Sequence, residues 1–183
     1  TVYHGPDGLK KIAEKIYGLT ILLDTALKNL GYDQTNKNYF DTLKINLTNL
    51  SKDKITEIKK LAEEKKVNFR YFDDAVGVSL SEVTEIEDVN EIIYVFAKAA
   101  KKEFKDSDLE KISQSVELDY PVEFKRESKY LFHHVFNTHH SETELLRYMK
   151  NLENKDLSLT TSMIPLGSCT MKLNATAEMA GLS

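Results

Sequence analysis

The stretch between Pro6 and Gly31 restricts the possible folds more than any other part of the chain, because its pattern predicts one long amphipathic helix. Proline is well tolerated in the first turn of a helix, and glycine commonly follows the last one. The apolar residues between them recur at helical spacing and mark one buried stripe: Leu9, Ile12, Ala13, Ile16, Leu23, Leu27 and Leu30. A stripe of this length requires a core to pack against.

Three strand patterns follow this helix. Residues 39–45 are rich in aromatic and β-branched side chains and alternate in polarity, which predicts a strand. Residues 67–72 and 76–80 are predicted as two further strands. The short link between them, Asp73-Asp74-Ala75, favours an antiparallel pair.

Two predicted helices are interleaved with these strands. The first has Ser51 or Asp53 as its N-terminal cap, and the second runs over about residues 87–102. The first presents a short apolar face: Ile55, Ile58, Leu61 and Ala62. The order helix, strand, helix, strand, strand, helix is typical of a small domain in which helices cover a mainly antiparallel sheet.

The second part of the chain is less regular. Residues 105–117 are predicted to hold one short helix, and residues 120–137 show no strong period and are predicted as a linker. Ser141 with Glu144 forms a capping-box signature, which predicts a last helix at about 141–154.

The charge balance argues against several classes of partner. The 183 residues carry 25 basic and 29 acidic side chains, for a net charge of −4. A nucleic-acid or anionic-membrane binder usually has a basic excess, so neither partner is expected. No apolar run approaches the roughly 20 residues that a membrane-spanning helix requires. The single cysteine, Cys169, cannot form an internal disulfide, which fits a reducing compartment.

Residues 163–174 are the most unusual segment. Pro165 fixes its own φ angle, and Gly167 permits backbone angles that a side chain would forbid. Three small polar residues and a lysine follow: Ser168, Cys169, Thr170 and Lys172. A loop of this kind can offer N–H groups and hydroxyls to a phosphate or a carboxylate, and the simpler interpretation is an ordinary connecting turn.

Clustered histidines raise the alternative of a hydrolase. Four of the five lie close together: His133, His134, His139 and His140. Glu142 and Glu144 are nearby, but the sequence has no His-Glu-x-x-His motif and no second cysteine, so no metal is expected. Cys169 with one of these histidines has the residue types of a nucleophile and its base, although a lone cysteine is more often a small buried side chain. A zinc-dependent or cysteine-dependent hydrolase therefore ranks third among the functions that the sequence suggests.

The chain resembles the P-protein family of the glycine cleavage system along nearly its whole length. The most specific match is the run Ile164-Pro165-Leu166-Gly167-Ser168-Cys169-Thr170-Met171-Lys172-Leu173-Asn174. The other matching segments are His4-Gly5-Pro6 with Gly8-Leu9, Phe40-Asp41-Thr42-Leu43-Lys44, Asn68-Phe69-Arg70, Val135-Phe136-Asn137, His140-Ser141-Glu142-Thr143, Arg147-Tyr148-Met149-Lys150 and Asp156 through Leu159. The family usually has tyrosine at His139 and proline at His134, and these departures weaken the zinc alternative further.

The resemblance implies an α+β fold, the small C-terminal domain of one half of a fold-type I pyridoxal-phosphate enzyme, with a mostly antiparallel sheet covered by helices. Residues 1–119 are expected to form this domain and residues 120–157 a connecting segment. Residues 158–183 are expected to begin the second half, with the loop 163–174 at the edge of the active site. Because the chain starts at Thr1, without an initiator methionine, we also expect a piece of a longer protein.

The resemblance further implies an activity for that longer protein. It would decarboxylate glycine with pyridoxal phosphate and transfer the aminomethyl group to the lipoyl arm of the H-protein. The parent is expected to be a homodimer, in the cytoplasm of a bacterium or in the mitochondrial matrix of a eukaryote. Its Schiff-base lysine is expected outside this chain, so Lys172 is not assigned that role and the chain alone is expected to be inactive.

The same resemblance places Ser168, Cys169 and Thr170 near the cleft between the two halves. Their hydroxyls and N–H groups are expected to contact the substrate carboxylate or the cofactor, with Cys169 as a redox-sensitive neighbour and not a nucleophile. The alternative from another class is a free-standing α/β interaction domain without catalysis, in which the matching residues serve only the fold.

Overall fold

A computed structural model describes residues 1–48, 52–118 and 120–156. Its helices and strands in chain order are α1 (Gly5–Asn29), β1 (Asp33–Gln34), β2 (Thr42–Asn46), α2 (Lys52–Glu64), β3 (Arg70–Tyr71), β4 (Ala75–Ser79), α3 (Ile86–Ala99), α4 (Asp106–Ser115) and α5 (Glu142–Glu153). The described residues form two compact units, one of Asp7–Ser128 and one of Thr1–Pro6 with the described residues after Ser128. The division at residues 119 and 157 stays a prediction.

Helix α1 confirms the long helix predicted between Pro6 and Gly31. The chain leaves it through a Schellman motif, in which the N–H of Gly31 donates to Lys28 O and the N–H of Tyr32 donates to Leu27 O, both at 2.9 Å. Gly31 has a φ of +88°, a left-handed conformation that glycine adopts without a Cβ penalty. Neither α1 nor any other helix of the described residues is long and apolar enough to cross a membrane.

The strands of the described chain form one antiparallel sheet in the order β1-β2-β4-β3. In β2, Leu43 and Ile45 are fully buried and Thr42 is exposed, so the predicted alternation is confirmed. β4 pairs with the whole of β2, from Ser79 opposite Thr42 to Ala75 opposite Asn46. β2 and β4 are therefore the central strands.

The strand predicted over residues 39–45 begins later, at Thr42, because the two preceding aromatic rings pack on α1. The Tyr39 hydroxyl donates to Asp24 Oδ2 at 2.7 Å. The ring of Phe40 stacks parallel to that of Tyr17, with 6.2 Å between centroids. These contacts hold residues 39 and 40 against the helix and away from the strand ladder.

Of the strand predicted over residues 67–72, only the two residues of β3 form a strand. The beginning of the predicted strand instead makes hydrogen bonds that end α2. The N–H of Lys66 donates to Glu63 O at 3.0 Å, and the N–H of Val67 donates to Ala62 O at 2.9 Å. Lys66 adopts a left-handed φ of +59°, so this is a second Schellman motif. The antiparallel pairing of β3 with β4 is confirmed.

The helix starts differ in part from the prediction. Asp53 lies inside the first turn of α2, so its prediction as the cap is wrong, and Ser51 lies outside the described residues. A carboxylate in that turn still favours the helix through the macrodipole. At the start of α3, Asp88 Oδ2 accepts from the N–H of Glu85 at 2.8 Å. The predicted positions of α3 and α4 are confirmed.

One hydrophobic core joins α1, α2, α3 and α4 to the inner face of the sheet. Its largest fully buried side chain is Phe96 of α3, whose ring lies 5.2 Å from that of Tyr32 and 5.7 Å from that of Phe69. Burying such a ring contributes about 1.5–3 kcal/mol. The predicted fold class, a small α+β domain with an antiparallel sheet, is confirmed.

Residues 120–137 contain only two single 3₁₀ turns, Val122–Phe124 and His134–Phe136, among their described positions. Helix α5 follows as predicted, and Ser141 Oγ accepts from the N–H of Glu144 at 3.3 Å. No side chain of α5, all of whose residues are described, is buried. Its apolar side, including Met149, is exposed.

Candidate functional site

The loop predicted as the site, residues 163–174, lies outside the described residues. The roles of Ser168, Cys169 and Thr170 therefore stay predictions, as does the exclusion of Lys172 as the Schiff-base lysine. Two described regions are candidates for a functional role. One is the unit that contains α5, which precedes this loop in sequence, and the other is a basic groove in the unit Asp7–Ser128.

Three segments that carry the family resemblance meet in the unit that contains α5. His140 Nδ1 lies 2.7 Å from Tyr3 O, within hydrogen-bonding distance. A Cβ atom on Gly5 would lie 2.7 Å from Phe136 O and from His140 Cε1, and Gly5 has a φ of +61°. Because a side chain would clash with a backbone oxygen there, this junction requires glycine.

A short loop before α5 is held in a strained shape by one amide. Asn137 Nδ2 donates to Leu131 O at 2.9 Å and to His133 O at 3.0 Å. Leu131 has a left-handed φ of +51°, which is uncommon for a branched side chain. The loop exposes 86% of Phe132.

The clustered histidines have separate local partners. His133 Nδ1 accepts from the N–H of Val135 at 3.3 Å, and the His139 ring stacks on Tyr148 with 4.4 Å between centroids. Within residues 1–48, 52–118 and 120–156, no group of three or more His, Cys, Asp or Glu side chains is placed to hold a metal ion.

A groove of about 550 Å³ lies beside α3, and we call it the basic groove. Its lining includes five lysines: Lys65, Lys98, Lys101, Lys102 and Lys105. The other lining residues are Asn90, Glu91, Tyr94, Ala97, Glu103 and Phe104. Basic side chains therefore outnumber acidic ones in a protein whose net charge is −4.

Two of these lysines have partners that belong to the fold. Lys65 Nζ lies 2.7 Å from Glu91 Oε2, which joins α2 to α3. Lys102 Nζ donates to Leu30 O at 2.7 Å and so caps the last turn of α1. Lys101 has a left-handed φ of +56° and ends α3 at the position that Gly31 occupies after α1.

Tyr94 forms an aromatic floor between two of the ammonium groups. Lys65 Nζ lies 4.5 Å and Lys98 Nζ 5.3 Å from the centre of its ring. Lys98 Nζ also donates to the Tyr94 hydroxyl at 2.9 Å, and this hydrogen bond raises the pKa of the Lys98 ammonium. Lys98 is therefore held in its charged form.

The sequence prediction did not identify the basic groove. Lys98, Lys101 and Lys105 follow one another at steps of three and four, which is a readable signal for one side of a helix end. Lys65 directly follows α2, and only the packing of α2 against α3 brings it to the same place. The groove is therefore a property of the tertiary structure.

The basic groove does not fit pyridoxal phosphate. A Schiff base needs an unprotonated amine in a site that excludes water, as a lysine gains by desolvation. In the basic groove Lys98 is exposed, and its hydrogen bond to Tyr94 raises its pKa, which favours the ammonium form. No step of a pyridoxal-phosphate reaction is therefore assigned to this groove.

The fold is that of a small α+β domain, and comparison with known proteins places it in a family. The family model described as glycine cleavage system P-protein matches residues 1–96. A glycine dehydrogenase (decarboxylating) of Nostoc sp. is 53% identical over 182 residues, covering 97% of this chain and 18% of that protein. The corresponding proteins of Bacteroides fragilis and Flavobacterium johnsoniae are 45% and 48% identical over 100% of this chain, which covers 19% and 18% of theirs.

The chain belongs to the glycine cleavage system P-protein family. It spans about a fifth of the length of the curated relatives that it matches.

Proposed function

We propose that this chain is part of a pyridoxal-phosphate-dependent glycine decarboxylase. The observation that carries the proposal is the identity of 45–53%, over 97–100% of this chain, to proteins named glycine dehydrogenase (decarboxylating). The described domain serves as a scaffold in that enzyme, and the loop 163–174 borders its cleft. Its partners are glycine, the lipoyl H-protein and a second copy of the enzyme. Its location is the cytoplasm if the source is bacterial, as the relatives are.

The proposed reaction is balanced without a further reactant. The carboxyl group of glycine leaves as carbon dioxide, and its bonding electron pair stays with the aminomethyl carbon. That carbon forms a bond to one lipoyl sulfur while the lipoyl disulfide breaks, so the other sulfur is reduced to a thiol. Pyridoxal phosphate supplies the electron sink for the carbon when the cofactor is bound.

The test uses the protein at its natural length with pyridoxal phosphate and lipoylated H-protein. The decarboxylation is reversible in principle, so the enzyme should exchange the carboxyl group of glycine with labelled bicarbonate. H-protein without its lipoyl group is the matched control and should support much less exchange. Absence of exchange under both conditions would reject the proposal and favour an interaction domain without catalysis.

A substitution in the loop tests the proposed contact with substrate or cofactor. Ser168→Ala should raise the KM for glycine or the Kd for pyridoxal phosphate by about ten- to a hundredfold, because a hydrogen bond to a charged group contributes about 1.5–3 kcal/mol. Ser162→Ala, just outside the loop 163–174, is the matched control. Unchanged constants in the Ser168 variant would leave the loop as a connecting turn.

A further inference from the structure

We propose that the basic groove binds an acidic segment of another protein. This site lies outside the proposed decarboxylase function and does not rest on it. The groove gathers five lysines and two glutamates on the surface of an acidic protein. Ammonium groups gathered in one place repel one another, and a ligand with several carboxylates removes that repulsion and is attracted over a distance.

In the part of the chain that the structure describes, only two of the five lysines in the groove pair their ammonium group with a carboxylate or a backbone carbonyl of the fold. Lys65 is paired with Glu91, and Lys102 caps α1. The other three lysines are exposed, and none has a carboxylate within 4.0 Å among the side chains that the structure describes: Lys98, Lys101 and Lys105. The charges of Lys101 and Lys105 thus have no described carboxylate within 4.0 Å, and Lys98 is bonded only to the neutral hydroxyl of Tyr94.

The backbone of Lys101 has a structural feature that the binding test must control for. Its left-handed φ of +56° suits glycine better than lysine, so a lysine here is held against a local preference. A cation at a helix C-terminus is favoured by the macrodipole, and Lys66 occupies the same position at the end of α2 without lining the groove. Lys66 is therefore a matched control for the structural role of Lys101.

The chemistry of the groove favours an acidic chain with apolar side chains over a small anion. The last carbonyl groups of α3 carry partial negative charge, which disfavours an anion at the floor. The floor instead offers the half-buried Phe104, and the part of Tyr94 that Lys65 and Lys98 leave exposed, to an apolar side chain. Lysines are single point charges on flexible stems, so they pair with spaced carboxylates without a fixed geometry.

The binding test uses a fluorescein-labelled peptide of glutamates with interspersed leucines and the protein at its natural length. The groove variant removes three charges: Lys98→Gln, Lys101→Gln and Lys105→Gln. The control variant removes three charges elsewhere: Lys10→Gln, Lys60→Gln and Lys66→Gln. We expect fluorescence anisotropy to show an affinity about tenfold lower for the groove variant and within about twofold of wild type for the control.

A second measurement needs no variant. Carbodiimide coupling of the bound peptide to wild-type protein should form amide links from its carboxylates to Lys98, Lys101 and Lys105, as mapped by mass spectrometry. Links only at lysines outside the groove, no binding, or equal losses in the two variants would overturn the proposal. Displacement of the peptide by inorganic pyrophosphate at lower concentration, or groove-dependent binding to phosphatidylserine vesicles, would overturn its choice of a protein ligand.

Discussion

A single buried hydroxyl joins the end of α1 to α3. Tyr32 Oη donates to Phe96 O at 3.0 Å. Burial, with the charge of Glu57 as a smaller cause, raises the pKa of Tyr32 from its ordinary value of 10.0 to about 12. The unfolded chain loses this proton first, so the unfolding free energy should fall as the pH rises from about 10 to about 12.

Replacing Tyr32 by phenylalanine shows how much of the decrease in unfolding free energy at alkaline pH comes from this residue. In Tyr32→Phe the unfolding free energy should be about 1 kcal/mol lower at pH 8, where the hydrogen bond is missing. Its fall above pH 10 should then be smaller than in wild type by about 1–3 kcal/mol. Burial also raises the pKa of three other tyrosines, which account for the remaining slope: Tyr39, Tyr71 and Tyr120. Urea denaturation across this pH range measures the effect, and parallel curves for the two proteins would contradict it.

Backbone conformation at helix ends gives a second prediction at this scale. Gly31→Ala should lower the unfolding free energy by about 1 kcal/mol, because alanine disfavours the φ of +88°. Lys66→Gly should raise it by about 0.5–1 kcal/mol, because its φ is +59° and glycine relieves that conformation. Both changes are measured by chemical denaturation. A loss of stability in Lys66→Gly would show that the lysine makes a contact that outweighs its backbone.

At the scale of elements, the sequence predicts helices better than strand ends. The stripes of α1 and α3 repeat over several turns, so their positions follow from periodicity. β1 has two residues and no pattern to detect. Tyr39 has the composition of a strand residue, yet it packs on α1 because its hydroxyl reaches the buried Asp24. Such tertiary contacts are invisible in a local window of sequence.

The cap of α5 can be tested by itself. Ser141→Ala should destabilise the helix by about 1 kcal/mol, because the N–H of Glu144 loses the Ser141 Oγ acceptor. Thr143→Ala, in the same first turn, is the control and should leave the helix intact or slightly stabilised. Cα chemical shifts over residues 142–153 report helicity. Equal shifts in both variants would contradict a capping role for Ser141.

At the scale of the molecule, the two units differ in what holds them together. The buried apolar side chains of the described chain all lie between Ile16 and Ile112, within the unit Asp7–Ser128. The 12-residue helix α5 has no buried side chain in the described chain, and an isolated helix of that length is marginal in water.

Hydrogen exchange should reveal this difference in the chain studied alone. Amides in the middle of α1 and α3 should exchange only through global unfolding, whereas those of α5 should exchange with little protection. Mass spectrometry of the exchanged peptides measures both in one experiment. Protection of α5 equal to that of α3 would show that another part of the polypeptide covers its exposed apolar side.

The sequence was sufficient to predict the family of this chain but not the roles of its individual residues. The run Ile164 to Asn174 is the most specific sign of the family, because several low-frequency residues occur there in a fixed order. The roles of Ser168, Cys169 and Thr170 depend on what lies opposite the loop, which no local pattern contains. The basic groove was missed for a related reason, since Lys65 is far in sequence from Lys105.

The short outer strands also bear on aggregation. The sheet ends at β1 and β3, each of two residues, and Asp33 and Arg70 expose charge along these borders. A long flat border would present free N–H and C=O groups to a strand from another copy and so begin a fibril. Strands of two residues offer another copy too short a ladder of hydrogen bonds to start such a fibril from β1 or β3.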